Sequence, residues 1–178
     1  MMRIAGALSG PLIIFVSATV ITGQIRAAEG GPPAEAKLGQ DNAADELRKD
    51  AEKGNVKAQY VLGCCYNGEH GFTRDPVKAV KWWGIAAANG VADAQFLLGL
   101  SCFLGDGVLK DPVKAAKWWR KAADQDHPDA QYFLGLSYHT GIGVPKSMPL
   151  ATYWLQKSAN QGSSAAIKLL REIGSSPD

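Results

Sequence analysis

The chain repeats itself every 36 residues, and this constrains its fold more than any other feature. Ala51–Ala86 and Ala87–Ala122 are identical at 16 of 36 positions, where ordinary residue frequencies give about two. The anchors recur without insertion: Ala51, Ala87, Ala123 and Ala159; Ala58, Ala94, Ala130 and Ala166; Leu62, Leu98, Leu134 and Leu170; Trp82, Trp118 and Trp154. A fixed period makes each copy one supersecondary unit that buries its apolar face by stacking on the next.

Each period carries two helical patterns. In the first, Ala94, Leu98 and Cys102 fall at i, i+4 and i+8 on one helical face. The second opens on Asp111 and Pro112, a capping carboxylate before a proline whose missing N–H costs nothing in the first turn. Asp75 and Pro76 repeat that start, and Ser147, Met148 and Pro149 keep a capping residue with the proline one place later.

The pattern AxxGxxxAQxxLGxxY, then GxG, then DPxKAxxWW resembles the Sel-one-like repeat family, relatives of the tetratricopeptide repeats. It is carried by Ala51, Gly54, Ala58, Gln59, Leu62, Gly63 and Tyr66, then Gly71, Asp75, Lys78, Ala79 and Trp82, and by their counterparts downstream. Cys102 replaces the tyrosine, Asp126 a turn glycine and Glu69 the first glycine of GxG. The resemblance implies an all-α, right-handed α/α solenoid with full repeats at about 51–86, 87–122 and 123–158 and a partial one at 159–173.

The ends differ from the repeats. Met1–Arg3 and the apolar Ile4–Ile25, followed by Ala27 and Ala28, predict a secretory signal over 1–28. The rival reading is an uncleaved anchor, since about 20 apolar residues span a bilayer. Residues 29–40, rich in Gly, Pro and Ala, predict a flexible linker, and the repeat domain is expected over 41–173 with a polar tail at 174–178. Asn42–Lys53 aligns with a second helix but lacks the tryptophans, as a capping helix would. At the far end Arg171 stands where Gly63, Gly99 and Gly135 admit a partner helix.

Composition narrows the function. Without Arg3 and Arg26 the chain has 17 basic and 17 acidic residues, which argues against a nucleic-acid partner. Gly105–Gly107 and Gly141–Gly143 follow helices, not strands, and so read as turns rather than phosphate loops. His70, His127 and His139 lack metal-ligand spacing, so no metal and no cofactor is expected. In the tryptophan pairs, the first ring is expected in the core and the second, replaced by Leu155 in the third copy, partly exposed. Three cysteines leave one odd thiol, with a bond from Cys64 or Cys65 to Cys102 as the candidate pairing and the state of the three left open.

By resemblance to the tetratricopeptide repeats, the first helix of each pair lines a concave face. Carried over residue by residue, that face holds Lys57, Tyr60, Cys64 and Asn67, then Asp93, Phe96, Leu100 and Phe103, then Asp129, Tyr132, Leu136 and His139. Aromatic and aliphatic anchors flanked by charges are the composition of a peptide groove. The competing reading is that these rings pack on one another and extend the core. No catalytic residues are visible.

The expectation is therefore a non-enzymatic, exported repeat protein. It would bind a protein or peptide and act as an adaptor or scaffold in envelope assembly or signalling. The alternatives are the penicillin-binding or β-lactam-hydrolysing activity claimed for cysteine-rich relatives, and a homodimer closing the same groove.

Overall fold

The computed structural model describes residues 44–69 and 72–175, and the regular structure among them is entirely helical. The helices are α1 (44–52), α2 (Val56–Tyr66), α3 (Pro76–Ala88), α4 (Ala92–Leu104), α5 (Pro112–Ala123), α6 (Pro128–Thr140), α7 (Met148–Asn160) and α8 (Ser164–Ser175). From α2 to α8 each helix packs against the next, giving a solenoid of the hairpins α2/α3, α4/α5 and α6/α7. The signal at 1–28 and the linker at 29–40 lie outside the described residues, as does His70. Residues 174 and 175 continue α8 rather than belonging to a tail.

Local chemistry sets the helix ends. Asp75 Oδ1 accepts the Lys78 N–H at 3.0 Å and Asp111 Oδ1 the Lys114 N–H at 2.9 Å, each before a proline in the first turn. Ser147 departs from expectation: its side chain makes no capping bond, and α7 starts at Met148 with Pro149 behind it. Gly105 and Gly141 close α4 and α6 in the left-handed conformation, at φ of 80° and 78°, a region glycine enters without steric cost. Asp126 replaces a turn glycine and still adopts φ 61°. Its carboxylate accepts from Gln131 Nε2 at 3.1 Å and pairs with Lys157 at 2.9 Å, and the Lys157 ammonium holds it below the usual carboxylate range.

The core reverses the expected order of the tryptophans. Trp83 and Trp119, second in their pairs, are 4% and 1% exposed, whereas Trp82 and Trp118 are half-buried. The reason is the glycine on the facing helix of the same hairpin. A Cβ at Gly99 would lie 2.6 Å from the Trp119 ring, so only glycine admits it, and Gly63 receives Trp83 the same way. In the third hairpin Gly135 faces Leu155 instead, and Trp154 is also buried. The first tryptophans pack at the edges of clusters: Trp82 on Ala51, Ala58 and Leu62, and Trp118 on the cluster around Trp83 and Leu98, which spans two repeats.

Buried glutamines tie each hairpin to the turn before it. Gln59, Gln95 and Gln131 each donate Nε2 to the carbonyl eight residues upstream, at Ala51 (3.0 Å), Ala87 (3.1 Å) and Ala123 (3.3 Å). Gln125 Nε2 then donates to Gln95 Oε1 at 2.7 Å, and Gln161 Nε2 to Gln131 Oε1 at 2.8 Å. A buried amide is tolerated only when such partners are supplied. All three cysteines are buried free thiols, and the candidate pairing with Cys102, left open by the sequence, is not formed.

Candidate binding face

The residues singled out for partner binding lie on α2, α4 and α6, with Asn67 capping α2, but they are not equally accessible. Asp93 and Asp129 are exposed; Tyr60, Leu100, Phe103, Tyr132, Leu136 and His139 are half-buried; Cys64 and Phe96 are buried. Phe96 therefore supports the face and offers little surface to a partner. It packs on Phe133 at 5.6 Å between ring centres and stacks on His127 at 4.9 Å, joining α4 to α6.

His127 is a framework residue, although its sequence position carries no recognisable motif. Its Nδ1 accepts the Ala130 N–H at 3.2 Å as the cap of α6, which leaves Nε2 to donate to Asp93 Oδ1 at 3.3 Å. Asp93, expected as a free rim charge, is thus oriented by the next repeat.

At the two ends the rings are partly sealed. Tyr60 packs on the cluster of Cys64, Trp83 and Leu98, and burial, assisted by Cys64, pushes its phenol well above the usual tyrosine value. Tyr132 and Leu136 pack against Leu155, Ala166 and Leu169, where burial raises the Tyr132 phenol. Phe103 leans on Trp119 at 5.5 Å with Lys110 Nζ 5.9 Å from its ring. His139 Nδ1 is buried and has no hydrogen-bond partner among the described residues. Phe96, and in part Tyr60 and Tyr132, thus pack into the core, against Phe133, His127 and the hairpin clusters rather than on one another. The accessible apolar surface rests on Leu100, Phe103 and Leu136.

Three consecutive matches to the Sel1 repeat fall at 56–91, 92–127 and 128–163, each opening where α2, α4 and α6 begin. The chain belongs to the Sel1 repeat family. Members of this family commonly mediate protein–protein interaction.

The Sel1 period is the 36 residues seen in the sequence, entered five residues later than at Ala51. Among solved structures, a Sel1 repeat protein from Oxalobacter formigenes is 38% identical, with 71% of this chain and 96% of that one covered and a TM-score of 0.65. The protein c5321, a protective antigen present in uropathogenic Escherichia coli strains, is 36% identical with a TM-score of 0.71; 74% of this chain matches 28% of it. Cysteine rich protein B of Helicobacter pylori, 24% identical over 79% of this chain and all of its own, shares the fold at a TM-score of 0.58. Among curated proteins no match is found.

No group of three or more His, Cys, Asp or Glu among the described residues could hold a metal ion. No helix among them is long and apolar enough to cross a membrane.

Proposed function

We propose that this Sel1 repeat protein binds a protein or peptide segment along the face made by α2, α4 and α6. In this reading it is exported and works as an adaptor or scaffold of the cell envelope. The observation that carries the binding is the row Leu100, Phe103, Leu136 and His139, half-buried on consecutive first helices beside the exposed carboxylates of Asp93 and Asp129. Apolar anchors of this kind exclude water from a bound segment, and the carboxylates select its register and charge. Asp93 comes pre-oriented by His127, which lowers the ordering cost of contact. The export part rests on the charged and apolar start of residues 1–28.

The test is co-purification from the native cell with Leu100→Asp/Leu136→Asp against the unchanged chain. Loss of an anchor of this size weakens binding by at least about tenfold, with helix content unchanged by circular dichroism. A partner retained in full by the double variant contradicts the groove.

A further inference from the structure

The described residues expose their large apolar side chains along one edge. Leu109 is 88% exposed, Val77 65%, Val113 52% and Leu104 51%, with Ile142 and Leu150 above 40% or at it. All six lie in the turns joining the helices of a hairpin or at the helix ends those turns connect. Among the exposed large apolar residues only Tyr153 lies elsewhere, one turn beyond Leu150 on α7. The opposite edge, at 89–91, 124–127 and 160–163, holds none of them.

These turns are stacked. The second glycine of each GxG motif sits on the start of the preceding repeat's second helix: a Cβ at Gly107 would meet the Pro76 carbonyl, and one at Gly143 the Pro112 carbonyl. Leu109 and Ile142 are therefore carried on a column of turns held together by backbone contact.

The charges along this edge are uneven in availability. Asp75 and Asp111 are engaged by the N–H groups of Lys78 and Lys114, Asp75 also by Lys78 Nζ at 3.0 Å, and Asp106 by Arg74. Lys110, Lys114 and Lys146 are exposed and form no ion pair among the described residues. The edge thus offers protruding aliphatic groups interleaved with the unpaired Lys110, Lys114 and Lys146, while Asp75 and Asp106 are paired with Lys78 and Arg74 and Asp111 is engaged as a helix cap.

We infer that the hairpin-turn edge carrying Leu104, Leu109, Ile142, Lys110 and Lys146 is a docking surface for an anionic lipid bilayer. Aliphatic groups on successive turns enter the headgroup boundary and the lysines meet lipid phosphates. The edge adjoins the first-helix face at Phe103, whose ring lies 5.9 Å from Lys110 Nζ.

The test is cosedimentation of the full chain with phosphatidylcholine vesicles, with and without phosphatidylglycerol. The expected result is binding that requires phosphatidylglycerol and weakens with added salt. Leu109→Asp/Ile142→Asp and, separately, Lys110→Gln/Lys146→Gln each lower the partition by about tenfold. These side chains are exposed, so helix content by circular dichroism stays unchanged. Binding that either double variant leaves intact overturns the inference, including binding carried by the apolar stretch Ile4–Ile25. So does equal binding to neutral vesicles, or loss of a cross-linked protein from the edge variants while vesicle binding persists.

Discussion

Asn89 falls one methylene short of Gln59. Its Nδ2 turns back to the Ile85 carbonyl at 2.9 Å, and Gln59 Oε1 is left buried without a partner. One and two periods later, glutamines at the equivalent positions reach across and satisfy Gln95 and Gln131. The ladder is complete in the second and third hairpins and broken in the first.

Asn89→Gln should therefore raise stability by about 1 kcal/mol, the worth of one hydrogen bond to a buried acceptor. Gln125→Asn should lower it by a similar amount. Urea unfolding at equilibrium measures both. A destabilised Asn89→Gln would show that Gln59 Oε1 is not waiting for a donor.

Two glycines, Gly84 in the first repeat and Gly99 in the second, should respond oppositely to alanine. Gly99 faces Trp119 with no room for a Cβ, so Gly99→Ala should cost about 1–3 kcal/mol by overpacking. Gly84, inside α3, has nothing within 4 Å of an added Cβ, so Gly84→Ala should gain about 0.4–1 kcal/mol. Thermal unfolding of both variants checks the pair, and equal responses would contradict the packing described.

Repetition made the architecture legible, because each anchor was visible in several copies. What the period could not show was which of two adjacent residues faces inward. Trp82 and Trp83 are chemically alike, and the choice is made by Gly63 on the facing helix, which the sequence places twenty residues away. Paired departures were equally hidden. Tyr66 and Tyr138 are bonded by Arg48 and Arg120, while the middle copy has Cys102 and Gly84, so both members are missing together. The role of His127 depended on Phe96 and Asp93 of the preceding repeat, a contact no local pattern encodes. The turn edge escaped because Leu109 and Ile142 break the repeat rather than follow it.

Stability should decline in mild alkali. Burial raises the thiols of Cys64, Cys65 and Cys102 and the phenols of Tyr60 and Tyr132 above their ordinary values. Groups protonated more tightly in the folded chain contribute fully below their unfolded values. That contribution is lost as pH rises past about 8.5 for thiols and about 10 for phenols. The urea midpoint should fall across this range, and Tyr60→Phe should flatten its upper part. A midpoint independent of pH would contradict the burial.

The thiols should react only on unfolding. With all three buried and free, a disulfide-exchange reagent should titrate few thiols in the native chain and three after denaturation without reductant. Burial both blocks access and disfavours the reactive thiolate. A single thiol in the denatured, unreduced chain would establish a disulfide instead.

On the reading proposed above, the face of α2, α4 and α6 meets a partner. Photo-crosslinking in the native cell tests it most directly, with the reactive side chain at Leu136 and a control at the exposed Lys117 on α5. The expected result is a distinct protein adduct from Leu136 that Lys117 does not give. Identical adducts from both positions, or none from Leu136, would contradict it.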